Sequence, residues 1–590
     1  MDNDFPFHGA LPTDDGTTFR VWAPDADSMM LVCEGDAPVP MEPVGNGLFE
    51  TKTDAPSGTR YWIERNGSDR FPDPASRFQP DGVHGPSAVV DPSAYTWHDE
   101  DWTGVDRADL VIYELHVGTF TSSGSFDGVR ERLSYLADLG VTAIELMPVH
   151  DFPGGWNWGY DSAALFAPSR AYGTPDALRR LVDAAHQCGL AVILDVIYNH
   201  FGPDGAYAAA LAPFFTDRHT TPWGHAMNLD DDGSAGVRRF FLDNALHWLR
   251  EYHVDGLRLD ATHALHDDSD PHFLAALSDA VDAHLDDGVP RHLIAEDHRN
   301  LNRLLMPRET DGYGLDAVWS DDLHHQLRCL TAGDREGYYR DYVDTTAADV
   351  ATTLRDGWFY RGQHSEHLGD ARGTDPGPVA RSQCVVFIQN HDQVGNRPTG
   401  TRLTDDVSPP VYRALSVLLC CAEELPLLFM GQEWAASTPF QFFTDHNDEL
   451  GARVTEGRKE EFEDFSGFEG DVPDPQDPQT FARSHLDWTE PRRGLHAGVL
   501  ALYRDLLTLR PQLGAMTEVG APTDTTLQIR RPPYHVTVNL TDAASVSVPT
   551  DARCVLHTEQ DDYVSDGEPP SMEDGVVTFH RPGAVVLCAP

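Results

Sequence analysis

Residues 191–200, AVILDVIYNH, form a continuous apolar run that ends in polar residues. Such a run is typical of a parallel strand that is buried on both faces. Similar runs occur at 110–117, 141–149, 255–261, 292–297, 315–321, 384–392 and 426–434. Apolar residues at helical spacing lie between most of these runs, as at 126–140, and Thr174 and Pro175 predict the N-cap and first residue of another helix. Eight alternating strand and helix units predict the α/β fold of a (β/α)8 TIM barrel.

Short runs that alternate at period two flank the predicted barrel. They predict an N-terminal β-sandwich in residues 1–105 and a C-terminal antiparallel β-domain in residues 516–590. The barrel then occupies residues 106–515, with a short excursion after the third strand. The acidic segment 459–479 is expected to be an exposed, mobile loop, with a lid as the alternative.

The chain is strongly acidic. Its 590 residues include 95 acids and 43 bases, which gives a net charge of −52. This charge repels nucleic acid and anionic lipid, so we expect neither as a partner. The acids are dispersed, and Lys52 and Lys459 are the only lysines. This pattern favours a halophilic protein, because a codon bias towards arginine would explain the few lysines but not the excess of acids.

The cysteines and the apolar stretches indicate a reduced, cytoplasmic protein. The eight cysteines show neither a C-x-x-C pair nor the Cys/His spacing of zinc ligands, so buried free thiols are expected. The N-terminus lacks the basic and apolar regions of a signal peptide. The apolar stretch 414–430 contains Glu423, Glu424 and Pro426, and therefore predicts a buried helix followed by a strand instead of a membrane span.

Polar residues follow several predicted strands at the carboxyl end of the barrel, where TIM barrels place catalysis. A single acid there is more often a helix cap, and a single histidine more often satisfies a local hydrogen bond. Their convergence on one barrel end is what indicates a site. The residues are Asp195, Asn199 and His200 after the third strand, Arg258, Asp260 and His263 after the fourth, Glu296 and Asp297 after the fifth, and Asn390, His391 and Asp392 after the seventh.

These residue types suit the cleavage of a glycosidic bond, which needs an ionised and a protonated carboxyl group. Arg258 and Asp260 are two residues apart on a strand and point to the same face, so the arginine can keep the aspartate ionised for nucleophilic attack. Glu296 follows an apolar run, and desolvation would keep it protonated as a general acid. Asp392 is placed to bind sugar hydroxyls and to favour an oxocarbenium-like state.

Aromatic side chains near the predicted strand ends support a sugar site, because flat rings stack on sugar faces. Trp156, Trp158 and Tyr160 follow the second strand, and Tyr207 and Trp223 follow the third. The alternative is that these rings only pack the loops. For Phe214 and Phe215, which also follow the third strand, packing is the favoured interpretation.

Four motifs, DVIYNH (195–200), GLRLDATH (256–263), IAED (294–297) and FIQNHD (387–392), resemble the four sequence regions of the α-amylase superfamily. Further stretches, among them ELMPVHDFPGGWNWGYD (145–161) and QNHDQVGNRPTGTR (389–402), resemble the maltooligosyltrehalose trehalohydrolase family. The resemblance implies hydrolysis of the α-1,4 bond next to a terminal trehalose unit. It also implies an N-terminal module like that of isoamylases and branching enzymes.

The resemblance implies a role for each matching residue. Asp260 is the nucleophile, Glu296 the acid/base, Asp392 the transition-state stabiliser and Asp195 a structural carboxylate. A retaining mechanism would place the Asp260 and Glu296 carboxyl groups about 5–5.5 Å apart. The residues expected to bind substrate are Tyr160, His200, Arg258, His263, Asp322, His324, His325, His391, Gln393 and Asn396.

We expect no cofactor and no essential metal. Many α-amylase relatives bind calcium near the position of Asn199, but the excursion after His200 shows no dense carboxylate cage. The expected ligand is an α-glucan, maltooligosyltrehalose, and the resemblance alone implies a companion synthase that makes it.

Three alternatives stay open. The nearest is a glycogen branching or debranching enzyme, which shares the barrel, the N-terminal module and the carboxylates. A noncatalytic α-glucan-binding protein is the second, although such a protein would usually have lost one of the three carboxylates. An extracellular α-amylase is the third, and the missing signal peptide disfavours it.

Overall fold

The computed structural model describes residues 5–67, 69–463 and 471–589. Within these ranges, eight parallel strands form a closed barrel in which each strand pairs with the next and the last pairs with the first. The strands, numbered β1 to β8, are Ile112–Leu115, Ala143–Leu146, Ala191–Val196, Gly256–Leu259, His292–Ala295, Ala317–Trp319, Cys384–Val386 and Leu425–Phe429. The predicted TIM barrel is therefore confirmed. Asp195 and Arg258 lie within β3 and β4, whereas Asp260, Glu296 and Asp392 lie in the segments that follow their strands.

Helices connect the barrel strands and pack their apolar faces on the sheet. In the helix Pro175–Gln187, the Thr174 side chain accepts a hydrogen bond from the Ala177 amide and a proline occupies the first turn, as the sequence predicts. The other α-helices of five or more residues in the described chain are Phe126–Arg130, Leu133–Leu139, Ser234–Glu251, Phe273–His284, Asp321–Thr331, Ala347–Asp356, His391–Gly395, Pro409–Cys421, Asp448–Glu463, Pro478–Arg483 and Gly494–Leu509.

Two predicted segments differ from the structure. Residues 126–140 form two helices instead of one, because the chain turns at Arg132, whose guanidinium lies 4.2 Å from the ring centre of Trp488. The acidic segment 459–479 begins inside the helix Asp448–Glu463, so its first residues are not a loop. Residues 464–470 of that segment lie outside the described residues.

The N-terminal strands form one antiparallel sheet that folds back on itself. Phe19 and Tyr61 lie on strands that three others separate in the sheet order, yet their ring centres are 4.8 Å apart. Two layers of the sheet therefore enclose one core, as in a sandwich. The strands are Gly9–Thr13, Gly16–Trp22, Met29–Cys33, Val39–Gly45, Leu48–Thr53, Arg60–Arg65, Asp69–Phe71 and Ser87–Ala88.

The C-terminal strands form two antiparallel sheets, which confirms the predicted β-domain class. The first sheet contains Glu518–Thr523, Thr526–Arg531, Tyr534–Asn539, Gly583–Cys588 and Arg553–His557, and the second contains Ala544–Ser547, Val576–Phe579 and Ser571–Glu573. The domain limits after residues 105 and 515 stay a prediction. No helix among the described residues is long and apolar enough to cross a membrane.

A buried ion pair joins the barrel to the C-terminal sheets. Arg413, in the helix Pro409–Cys421, donates from Nη2 to Oε1 of Glu559 at 2.5 Å and from Nε to the Thr558 carbonyl at 2.9 Å. Both side chains are almost fully buried, and Arg581 pairs with the other oxygen of Glu559. Removing Arg413 would leave a buried carboxylate with only one of its two cations.

We therefore predict that Arg413→Met lowers the free energy of unfolding by about 3 kcal/mol, seen as a lower apparent Tm in calorimetry at fixed salt. Arg453→Met is the matched control, because Arg453 is exposed and its ion pair with Glu449, one turn away, is exposed too. The control should change stability by less than about 0.5 kcal/mol. Equal shifts in the two variants would refute a stabilising role for the buried pair.

Candidate active site

The site is built around Arg258, the third residue of β4. Asp195 on β3 is the direct cross-strand partner of Arg258, so barrel closure brings their side chains together. The guanidinium Nη1 lies 2.7 Å from Oδ2 of Asp195 and 2.7 Å from Oδ1 of Asp260. The Arg258 guanidinium also lies over the Trp319 ring, at 4.4 Å from its centre. One buried cation thus orients two carboxylates, as the strand spacing predicts.

Asp260 is fixed from both sides. Arg258 holds Oδ1, and the Asn199 amide donates to Oδ2 at 2.8 Å. The side chain is only 11% exposed, so these bonds replace hydration and fix the position of the carboxyl group. Asp260 therefore has the fixed orientation that a nucleophile needs.

Glu296, directly after β5, occupies a different environment. Its Oε2 accepts a hydrogen bond from the Ala261 amide at 2.5 Å and lies 3.7 Å from Nη2 of Arg258. Ala261 follows Asp260 and has a left-handed backbone with φ of 41°, an unfavourable conformation for alanine that turns its amide towards Glu296. Burial outweighs the Arg258 charge and raises the pKa of Glu296 to about 8, so this carboxyl group is protonated at neutral pH.

His391 and Asp392 follow β7 and meet the same cluster. Nε2 of His391 lies 2.8 Å from the Tyr160 hydroxyl and 3.3 Å from Oδ1 of Asp392. Burial opposes a charged His391, but Asp392 and Glu114 outweigh it and raise the pKa of His391 well above its ordinary value. The His391 charge in turn holds the pKa of the half-exposed Asp392 below its ordinary value, despite burial.

A cavity of about 220 Å³ opens beside Glu296 and Asp392. Of the residues predicted to bind substrate, His325, Gln393 and Asn396 line it. The other lining residues are His298, Asp321, Tyr338, Asp341, His367, Leu368 and Arg372. A second cavity, of about 700 Å³, lies near Trp97, Trp102 and Asp255 at the opposite end of the barrel, and none of the predicted site residues lines it.

Seven of the ten residues predicted to bind substrate do not line this cavity. For two of them, Asp322 and His324, the geometry favours a structural role. Asp322 is fully buried. Its carboxylate accepts hydrogen bonds from Arg372, Tyr342 and Asn300 and from the amides of residues 359 and 360. His324 is also buried, and its two ring nitrogens contact the Ile388 carbonyl and the Tyr339 hydroxyl. Neither side chain has a polar atom left for a sugar hydroxyl.

Asp321, the neighbour of Asp322, faces the cavity instead. Burial raises its pKa to about 7, with Asp322 and Asp392 adding to the effect and the Arg372 charge opposing it. Tyr338 closes another wall of the cavity, and its hydroxyl donates to Gln393 at 3.2 Å. The adjacent pair of acids that opens the stretch DDLHH, residues 321–325, was the available signal for Asp321. The sequence could not decide which of the two acids points into the cavity. Tyr338 lies on a connection that shows no motif.

The remaining predicted residues surround this cavity. Tyr160 donates its hydroxyl proton to Asp195 at 2.6 Å, and His200 stacks on Trp223, with ring centres 4.8 Å apart. His263 packs behind His298, whose ring lines the cavity. Asn396 donates to Asp392 at 3.1 Å.

The aromatic prediction holds only in part. Trp156 stacks on Phe481, with ring centres 5.7 Å apart, and Trp158 stacks on Phe440 at 5.1 Å. Phe214 is buried, so it packs a loop as expected, whereas Phe215 is 41% exposed and does not fit the packing interpretation. Trp223 is 49% exposed and is the ring best able to meet a sugar.

One group of possible metal ligands occurs among the described residues. His219, Asp230 and Asp268 bring three ligand atoms within 4.8 Å of one another. The guanidinium of Arg218 lies 3.1 Å from Asp230 and 3.6 Å from Asp268, so a cation already neutralises this group. We assign no metal to it.

Comparison with known proteins supports the same interpretation. Residues 86–213 match the model of the alpha amylase catalytic domain. A malto-oligosyltrehalose trehalohydrolase of Deinococcus radiodurans is 48% identical over 85% of this chain and 82% of its own length. A solved structure from Salmonella typhimurium, a provisionally assigned alpha amylase, superposes with a TM-score of 0.89 over 98% of this chain and 99% of its own, at 37% identity.

A 1,4-alpha-glucan branching enzyme of Corynebacterium diphtheriae is 32% identical, but the match covers only 42% of this chain and 37% of the enzyme. The similarity to the Deinococcus radiodurans protein, in contrast, extends over most of both chains. The chain therefore belongs to the malto-oligosyltrehalose trehalohydrolase family.

Proposed function

We propose that this protein hydrolyses the α-1,4-glucosidic bond next to the terminal trehalose of maltooligosyltrehalose, releasing trehalose and a maltooligosaccharide. The contrast between Asp260 and Glu296 at one barrel end carries the proposal. Arg258 and Asn199 fix both oxygens of Asp260, whereas burial raises the pKa of Glu296 to about 8. A retaining glycosidase needs this division of roles. Family membership supports the substrate.

The reaction proceeds by double displacement. Glu296 gives its proton to the glycosidic oxygen while an oxygen of Asp260 attacks the anomeric carbon, so trehalose leaves as an alcohol and a glycosyl ester forms. The ionised Glu296 then takes a proton from water, the water oxygen attacks the same carbon, and the ester bond to Asp260 breaks. Asp392 stabilises the positive charge that develops on the sugar ring in both steps.

The cavity beside Glu296 is suited to the leaving trehalose. Because Glu296 protonates the leaving oxygen, the sugar released first must lie on the Glu296 side. Asp321, His325 and Tyr338 offer hydrogen-bonding atoms to sugar hydroxyls in that cavity. Asp195 and Arg258 orient the catalytic groups from within the barrel. Trp223, which stacks on His200, offers an exposed ring to another part of the substrate.

Product analysis tests the substrate directly. We expect free trehalose from maltotriosyltrehalose and little action on maltopentaose or glycogen, because the leaving-group cavity would recognise a trehalose unit. The anomer first formed at the new reducing end, followed by proton NMR, should be α, since two displacements retain configuration. Chromatography of the products at several times is the measurement.

New branch points in glycogen, or linear products from maltopentaose without trehalose, would instead establish the branching or amylase alternative.

The acidic composition leads us to infer adaptation to high salt, so the rate should be higher in molar KCl than in about 0.1 M KCl, where carboxylate repulsion is less screened. The cytoplasmic location and the companion synthase stay predictions.

Removal of either catalytic carboxyl group should abolish turnover. We expect Asp260→Asn and Glu296→Gln each to lower kcat by about 10³-fold or more, because each removes a group that forms or breaks a bond. The rate of trehalose release is the measurement, and Asp356→Asn, which affects a surface ion pair, is the control. Activity near wild type in either site variant, with unchanged Tm, would contradict the mechanism.

The pH profile should identify the acid. Glu296 must be protonated to act, and its pKa is about 8, so kcat/KM should fall as the pH rises through about 8. Asp321 is one of the negative groups that raise the pKa of Glu296. Asp321→Asn should therefore move this basic limb to lower pH, as measured by initial rates across the pH range. A limb that stays in place would exclude Asp321 as a contributor.

A further inference from the structure

An unused carboxylate lies below the catalytic cluster. Glu114 is the third residue of β1, its side chain is 1% exposed, and it points into the barrel interior. Its Oε2 accepts a hydrogen bond from the His391 backbone amide at 2.9 Å, and its Oε1 accepts one from Nδ1 of the same histidine. Both oxygens of Glu114 therefore bind one residue.

The other ring nitrogen of His391 also meets acceptors. Nε2 faces the Tyr160 hydroxyl oxygen at 2.8 Å and Oδ1 of Asp392 at 3.3 Å. The Tyr160 proton is donated to Asp195 at 2.6 Å, so the tyrosine presents a lone pair to His391. A ring with acceptors at both nitrogens is satisfied only when both carry protons.

We propose that Glu114 is a positioning residue, which holds His391 as a doubly protonated ring and thereby orients the carboxylate of Asp392 at the reacting sugar. Glu114 does not line the cavity, so it acts only through His391. A buried carboxylate that fixes the protonation and orientation of a histidine is an established catalytic arrangement. The inference rests on glycosidic cleavage at this site, as proposed above.

Glu145 provides a matched control. It is the in-register partner of Glu114 on β2, so the two glutamates lie side by side in the barrel interior. Burial raises the pKa of Glu145 well above its ordinary value, with Glu114 adding to the effect, so this side chain is neutral. Its Oε2 has no hydrogen-bond partner among the residues that the structure describes. Glutamine can replace a neutral glutamic acid with little electrostatic change.

The test compares Glu114→Gln with Glu145→Gln. We expect Glu114→Gln to lower kcat about 100-fold and to leave KM within about threefold, because substrate contacts persist while the charge opposite His391 is lost. Without Glu114, His391 should lose its proton more readily, and once it does so before Glu296 the basic limb of the kcat profile moves below the pH that Glu296 sets. Glu145→Gln should stay within about twofold of wild type. Rates near wild type for Glu114→Gln, or equal losses in both variants, would overturn the proposal.

A double-mutant cycle with His391→Asn tests the route of action. If Glu114 acts through His391, adding Glu114→Gln to His391→Asn should lower kcat by less than about threefold further. If the losses of kcat in the two single variants multiply in the double variant, that route is overturned.

Should Glu114→Gln not fold, histidine-selective ¹⁵N NMR of the wild type decides, with the His391→Asn spectrum assigning the signal. Two protonated ring nitrogens at pH 8 support the proposal, and a neutral ring refutes it.

These rates are measured on whichever glucan the wild type cleaves. Cleavage of maltopentaose without trehalose release would therefore refute the proposed substrate and still leave the effect of Glu114→Gln measurable.

Discussion

The charge of Arg258 is the constraint on which the rest of the site depends. A guanidinium buried in a barrel is tolerated only when carboxylates compensate it, because leaving such a charge unpaired costs several kcal/mol. Asp195 and Asp260 supply that compensation from two directions. Barrel closure sets the register of β3 and β4, and the register alone determines that Asp195 lies opposite Arg258. Fold stability and the orientation of the nucleophile therefore depend on the same contacts.

The same cation does not ionise Glu296. Its nearer nitrogen is 3.7 Å from the Glu296 carboxyl group, whereas Asp195 and Asp260 lie at 2.7 Å. Asp195 and Asp260 already bind the guanidinium at short distance, and burial outweighs its remaining attraction for Glu296, so this third carboxyl group is more stable with its proton. Arg258 thus lies closer to Asp260 than to Glu296. This difference in distance suits Asp260 to the role of nucleophile and Glu296 to that of acid.

The sequence predicts the parts of this site that follow from strand periodicity. Asp195, Arg258, Asp260 and Glu296 each end a buried apolar run, and a closed parallel barrel must bring such ends together. Glu114 was also visible, as an acid in the middle of an apolar strand, but its histidine partner lies 277 residues away on β7. Only the closure of β1 against β8 and the turn after β7 bring the two into contact.

Sequence reasoning failed where two neighbouring residues have the same chemistry. Asp321 and Asp322 both lie in the first turn of one helix, and about 100° of helical rotation separates them. The hairpin strand Asp370–Arg372 decides between them, because Arg372 binds Asp322 and fixes it away from the cavity. No local pattern reveals a partner that is 50 residues further along the chain.

The contact between Asp322 and Arg372 also bears on the choice of substrate. The nucleophile and the acid are common to enzymes that cut or transfer α-glucosidic bonds, so the choice of leaving group must come from the walls beside Glu296. Two of those walls belong to the helix that begins at Asp321 and to the hairpin that ends at Arg372. Asp322 joins the two by binding Arg372, Tyr342 and the amides of residues 359 and 360. A residue without sugar contact can therefore determine which sugar fits, because it fixes the surfaces that the sugar meets.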